Sequence, residues 1–296
     1  MKKLILIPIL IILFSINVFA LDIQSKQIEI NKNKIHYYQV DNSKSKPNLV
    51  MLTGIGTTAN FWPKDFIERL SQKYNLYILD YRGINTDQDS SNLSYSINDL
   101  ARDTNAFIKK LNLKETYLLG WSMGGAIALQ TEFDNPKAFR QVFLISPAVP
   151  LDEKPKLPKK LAEKPILKTK TDVYNYVFSN NLYNYSSKDL AKNTARFINP
   201  DISKLFPTNK TYAKQKKYLT SWVSNKTNLK NFTNIKTPTT FFLAKNDKIL
   251  NPNDTQKSLN LIKYKSVINV IHFSKSGHAI DWDKPVKLAS IIDTLS

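Results

Sequence analysis

Short, unbroken apolar runs recur along the chain, among them NLVML at 48–52, NLYIL at 75–79, TYLL at 116–119 and VFLI at 142–145. Runs of this length, bounded by turn residues, predict strands buried on both faces. Between them lie stretches of helical spacing at 61–73, at 96–111 and from 124 onward. In the second of these, Ile97, Leu100, Phe107 and Ile108 recur on one face. Ahead of the first run, residues 27–30 and 35–40 flank the turn-like NKNK and predict a β-hairpin. The alternation resumes late in the chain with PTTFFLAKND, a helix near 254–264, VINVIHF and a terminal helix from about residue 284. Strands that alternate with helices in this way predict a mostly parallel sheet covered on both faces.

The pattern stops between about residues 150 and 234. No glycine occurs there, no buried-strand run is visible, and lysine, asparagine and aromatic residues accumulate. Tyr174, Tyr176, Phe178, Tyr183, Tyr185, Phe197, Phe206, Tyr218 and Trp222 predict a small, mostly helical unit that interrupts one sheet. The expected organisation is a leader at 1–20, a first core segment at 21–149, an insertion at 150–234 and a second core segment at 235–296. No internal repeat is visible.

Composition adds three constraints. The chain has 296 residues, of which 42% are hydrophobic, enough to bury a substantial core. Its net charge of +19 comes mostly from lysine. No nucleic-acid-binding motif accompanies that charge, so it describes either a solvated surface or one drawn to anionic membranes or acidic partners. The first twenty residues run from a basic end through an apolar stretch to Ala20, the layout of a secretory leader cleaved after Ala20. An uncleaved membrane anchor is the alternative. With no cysteine, neither a disulfide nor a lipid anchor at a cysteine is available.

The chain has only seven glycines, and they concentrate at the carboxyl ends of the predicted strands and in the loops that follow. In open parallel sheets that edge is where ligands bind. Gly120-Trp121-Ser122-Met123-Gly124 lies between a predicted strand and a predicted helix, a setting that exposes a serine hydroxyl on a sharp, strained turn. A serine nucleophile needs a base, and the base needs an orienting acid. Of the three histidines, His36 falls in the early hairpin and His272 within a late strand, both structural positions. His278 follows Gly277 in the loop after the last strand and is the candidate base. Asp247, leaving the PTTFFLA strand, is the candidate acid, with Asp152 as its competitor.

These motifs resemble those of the α/β-hydrolase superfamily, and they do so over nearly the whole chain after the leader. LTGIGTTANFW resembles that family's oxyanion loop, LDYRG the loop after the next strand, GWSMGG the nucleophile elbow, AKNDKILNP the acid loop and SGHAIDWDKP the histidine loop. The resemblance implies an oxyanion hole formed by the backbone N–H groups of Ile55 and Met123. It also implies that the insertion is a cap. Two departures stand out: the oxyanion loop opens with Thr53 where the family usually has histidine, and the segment after Gly83 lacks a second glycine. The implied activity is cleavage of a carboxylic ester, with a small acyl ester or lipid as substrate and no cofactor or metal. Hydrolysis of an acyl thioester or of a carrier-protein ester is the alternative within the same chemistry, and a non-catalytic binding protein the alternative outside it. Phe61, Trp62, Trp121 and Trp282 flank the motif loops and are candidates for lining a substrate pocket, with simple packing as the other role. The insertion, which offers no histidine and no glycine-built loop, is expected to govern substrate choice rather than chemistry.

Overall fold

A computed structural model describes residues 21–152 and 193–296. The proposed leader and the aromatics from Tyr174 to Tyr185 lie outside the described residues. Among those described, the strands are β1 (Ile23–Ile30), β2 (Asn33–Val40), β3 (Asn48–Leu52), β4 (Asn75–Leu79), β5 (Thr116–Trp121), β6 (Phe139–Ile145), β7 (Thr239–Ala244) and β8 (Ile268–Phe273). They form one sheet in the order β1-β2-β4-β3-β5-β6-β7-β8. The hairpin β1–β2 and the β2–β4 pair are antiparallel, and every pair from β4 to β8 is parallel. This is the mostly parallel sheet that the apolar runs predict. β4 and β7 are buried at every position, whereas the edge strands β1 and β8 alternate or stay partly exposed.

Among the described residues the helices are α1 (Lys64–Ser71), α2 (Ile97–Lys110), α3 (Met123–Asp134), α4 (Asn209–Val223), α5 (Lys226–Thr233), α6 (Pro252–Asn260), α7 (Ile280–Asp283) and α8 (Pro285–Leu295). Apolar residues of α2 and α3 join one core cluster, and those of α1 and α8 join the cluster on the opposite face of the sheet. Local chemistry sets the boundaries. Ser96 caps α2 by accepting the Asp99 N–H at 3.1 Å. The helix predicted over 61–73 begins only at Lys64, because Pro63 occupies the N-cap and Ala59–Phe61 forms a separate 3-10 turn. The hairpin turn is tighter than NKNK suggests: Asn31 and Lys32 alone make it, both with positive φ. That backbone twist suits a two-residue connection between twisted strands.

The described part of the insertion is helical, as expected, and buried aromatics are among the residues that tie it to the body of the protein. Arg196 donates to Asp65 Oδ1 at 3.0 Å and to the Trp282 carbonyl at 3.1 Å. Phe197, beside it, is fully buried against Phe61 and Trp282. At the other end Trp222, on α4, stacks on Phe133 and donates its indole N–H to Gln130 Oε1 at 2.8 Å, both partners being on α3. These aromatics therefore complete the cores on either side of the sheet instead of packing a separate core within the insertion. Trp222 should act as an anchor. Trp222→Ala is expected to cost about 3–5 kcal/mol of stability, the usual range for emptying a buried tryptophan site. Urea denaturation checks this, and a loss below about 1 kcal/mol would remove Trp222 from the anchoring role.

Candidate active site

The carboxyl ends of the parallel strands gather the residues singled out in the sequence. β5 ends at Trp121, and Ser122 follows with φ 55° and ψ −115°, outside the ordinary regions for a residue with a side chain. Such a conformation costs roughly 1–3 kcal/mol and persists only where its surroundings enforce it. Here they do. The Ser122 N–H donates to the Ile145 carbonyl at 3.1 Å, and the Ser122 carbonyl accepts from Gly125 and Ala148, each at 3.0 Å. The neighbouring glycines are needed for close approach: a Cβ on Gly124 would lie 2.0 Å from the Leu52 carbonyl oxygen, and one on Gly120 would lie 2.4 Å from that of Gly124. Serine itself carries the positive φ. Met123 opens α3, so its N–H has no acceptor within the helix.

Asp247 and His278 leave different strands and meet. His278 Nδ1 lies 2.8 Å from Asp247 Oδ2, with both side chains buried. The other carboxylate oxygen, Oδ1, accepts from the backbone N–H groups of Ile249 (2.8 Å) and Leu250 (2.9 Å), so the acid is held at both ends. The histidine loop is tied down in turn: Gly277 donates to Asp283 Oδ2 at 2.7 Å, and the Trp121 indole donates to the His278 carbonyl at 3.1 Å. Among the described residues no hydrogen bond joins Ser122 Oγ to His278. In unliganded sites such contacts are commonly loose and tighten around substrate. Asp152 does not compete for His278; it lies on the surface, paired with Lys226. His272 is exposed on the edge strand β8.

His36 has a more structured setting than its place in the hairpin suggests. Its Nδ1 lies 2.8 Å from Asp80 Oδ2 and its Nε2 lies 2.9 Å from Ser25 Oγ, so here a serine, a histidine and an aspartate are joined by hydrogen bonds at both ring nitrogens. What differs is the surroundings. Ser25 is exposed on an extended edge strand, with no helix opening behind it. Asp80 is further committed to the Ala59 N–H and to Asn85. That set ties the loop after β3 to β2.

Ser122 and Ile55 line the same small cavity of about 30 Å³, with Leu219, Thr220, Ile249 and Leu250 around it. Tyr212 and the half-buried Lys216 complete its described wall. A larger cavity of about 160 Å³ shares Leu219, Thr220, Ile249 and Leu250 with it and reaches Asp247. Phe61, Trp62, Trp121 and Trp282 line neither among the described residues. They are 1–3% exposed and stack together, with Phe61 parallel to Trp121 at 5.6 Å and the Trp282 indole donating to the Phe61 carbonyl at 2.9 Å. The chain thus holds them beside and beneath the elbow and the histidine loop.

Family comparison agrees with this architecture over most of the chain. The family model for the alpha/beta hydrolase fold matches residues 47–285. The chain belongs to the alpha/beta hydrolase fold family. Among curated relatives of this chain, an N-formylmaleamate deformylase of Pseudomonas putida is 31% identical over 102 residues, 34% of this chain and 37% of that one. A pimeloyl-[acyl-carrier protein] methyl ester esterase of Aeromonas hydrophila is 28% identical over 100 residues, again 34% and 37%. The chain thus aligns with well under half the length of these relatives. An esterase from Exiguobacterium antarcticum has a similar structure, with a TM-score of 0.74 at 18% identity over 92% of this chain and 99% of that one. At that identity the likeness is one of fold.

The cavity-lining residues of α4, Tyr212, Lys216, Leu219 and Thr220, are the ones that sequence reading did not single out. Their spacing marks a helix face but not what that face meets. Ile249 and Leu250 were closer to hand, two and three residues beyond Asp247 in the acid loop. No group of three or more possible metal ligands occurs among the described residues, and no helix among them is long and apolar enough to cross a membrane.

Asp281, three residues beyond His278, is fully buried, and among the described residues neither of its carboxylate oxygens has a hydrogen-bonding partner on another residue. Burial pushes its carboxyl up to about 8, against the opposing pulls of its own backbone N–H and of Arg196. The folded protein therefore keeps a proton that the unfolded chain, with an ordinary value near ~3.9, releases. Stability from this group is fully present below about pH 4 and declines as pH rises towards 8. Asp281→Asn cannot ionise, so its stability relative to the parent should rise by roughly 3–5 kcal/mol between pH 4 and 8, at ~1.4 kcal/mol per unit. Denaturation midpoints of both proteins across that range test the expectation, and parallel pH profiles would refute it.

Proposed function

We propose that this hydrolase cleaves carboxylic esters through an acyl-enzyme on Ser122, with His278 as general base and Asp247 as its orienting acid. The observation that carries the reading is the Asp247–His278 pair at 2.8 Å, formed between two loops at the sheet edge where Ser122 is held strained and at a cavity. With Asp247 on Nδ1, the imidazole has Nε2 free to take the Ser122 proton. The serine oxygen then attacks the acyl carbonyl. Charge on the resulting oxyanion is met by the N–H groups of Ile55 and Met123, and the alcohol leaves with the proton from His278. Water, deprotonated by the same histidine, attacks the acyl-enzyme and releases the acid. Asp247 keeps its negative charge throughout and stabilises the imidazolium. The largely apolar cavity wall suits a short acyl chain, and the methyl ester named for the Aeromonas relative has the same bond class.

A second reading concerns the substrate's charge. Lys216 lines the cavity beside Ser122 and makes no ion pair among the described residues. This favours an ester or thioester whose acid or carrier portion is anionic. A panel of neutral and carboxylate-bearing esters, run on the parent and on Lys216→Ala, separates the two readings: only the second expects the anionic preference to exist and to vanish with the lysine. For the mechanism itself, Ser122→Ala should lower kcat by roughly 10⁴-fold or more with the fold intact. A fluorophosphonate should label Ser122, and Ser25→Ala should leave both readouts unchanged. Ester turnover near the parent rate in Ser122→Ala, or labelling that tracks Ser25, would overturn the assignment.

A further inference from the structure

The insertion touches the loop after β3 through a buried amide. Gln215, on α4, is 0% exposed, and its Oε1 accepts the Gly56 N–H at 2.9 Å. Among the described residues its Nε2 has no hydrogen-bonding partner. Tyr212, less than one turn earlier, covers the same glycine: a Cβ on Gly56 would stand 2.6 Å from its ring, and Gly56 has φ +69°. α4 is therefore seated directly on the Gly54-Ile55-Gly56 turn.

The orientation of Ile55 follows from the two peptide planes that flank it. Across a trans peptide the C=O and N–H point in opposite directions. The Gly54 carbonyl accepts from the Thr57 hydroxyl at 2.9 Å, so the Ile55 N–H of that plane is turned away from Thr57. With its own proton so used, Thr57 Oγ1 accepts from Thr53 Oγ1 at 2.7 Å. The next plane carries the Gly56 N–H, which Gln215 holds. One plane is thus anchored by the body of the hydrolase and the other by the insertion.

We propose that Gln215 is a positioning residue: its hydrogen bond to Gly56 holds the Ile55 N–H towards the cavity shared with Ser122, so that seating of the insertion and competence for oxyanion binding are coupled. The inference rests on the serine-hydrolase reading above. It departs from the expectation that the insertion acts on substrate choice alone. The part-buried Gly56 N–H loses its acceptor when Gln215 is removed, and the cost of leaving it unpaired favours rearrangement of the turn.

The test uses the full chain, with p-nitrophenyl acetate as substrate and fluorophosphonate titration of Ser122 to count competent sites. Gln215→Met keeps length and volume but removes the acceptor, and Gln215→Leu replaces it should the methionine variant fail to fold. Since losing one oxyanion donor outright costs roughly 10²–10³-fold in kcat, misorienting it should cost roughly 10–100-fold. KM should change less than about 3-fold, as expected for an interaction made only in the transition state. Gln215→Glu, which retains a carboxyl oxygen at the same reach, should recover most of kcat. Thr57→Val should lower kcat in the same way, and the double variant should fall short of the product of the two effects, because both act on one turn. A folded Gln215→Met with parental kcat, or with its loss confined to KM, overturns the inference while leaving the mechanism standing. A parent protein that neither turns over ester nor labels at Ser122 overturns both.

Discussion

The close approach of α3 to the end of β3 is the contact on which the rest of the site depends. The Cα of Gly124 lies so near the sheet that a methyl group there would stand 2.0 Å from the Leu52 carbonyl oxygen. Any side chain would push the helix away. Because the helix starts at that contact and β5 runs straight into it, the single residue between them has to absorb the whole change of direction. Ser122 does so with a positive φ, held by the Ile145 carbonyl on one side and by the N–H groups of Gly125 and Ala148 on the other. The strained serine, the open N–H at the start of α3 and the cavity above them are consequences of one steric fact.

The groups that complete the site are positioned by loops, and each loop is fastened by polar contacts that do not involve the reacting atoms. Asp247 is held by two backbone N–H groups of its own loop. The histidine loop is held by Asp283 and by the Trp121 indole. Beside both lies the stack of Phe61, Trp62, Trp121 and Trp282, whose rings fill the space between the elbow, the loop after β3 and α7. These aromatics work through rigidity. His278 and Asp247, on separate loops, keep hydrogen-bonding distance only if neither loop can drift, and burying large flat side chains beside them removes that freedom.

The insertion is joined to the same framework. Arg196 and Phe197 fix one side to α1 and to Trp282, Trp222 fixes the other to α3, and Gln215 reaches the turn between them. The described part of the insertion is thus fastened at Arg196–Phe197 and at Trp222, and between them it is bonded to the loop after β3. Its lysines divide accordingly. Lys214 donates to the carbonyls of Ser91 and Leu93, while Lys216 faces the cavity. Part of the chain's large positive charge is therefore spent on contacts within the fold, and part lines the cavity.

Much of this was legible in the order of residues. The apolar runs of β3 to β7 are contiguous because those strands are buried on both faces, and their alternation with helices dictates a parallel sheet with its loops at one edge. The Gly-x-Ser-x-Gly spacing, the placing of His278 after the last strand and that of Asp247 after β7 are local signals, carried by a few adjacent residues, and they sufficed to nominate the site. What no local signal could carry was decided by packing. Whether Phe61, Trp62, Trp121 and Trp282 face a ligand or one another depends on how distant segments meet, and they meet as a buried stack. Asp152 and Asp247 both follow strands; only the chain's path through space puts one beside His278 and the other beside Lys226. Trp222 and Gln215 lie on one helix, yet one grips α3 and the other the turn at Gly56. Hydrophobic periodicity reports which face of an element is buried, because burial is a property of the residue, but it is silent on what that face is buried against, because a contact belongs to two residues far apart in the chain.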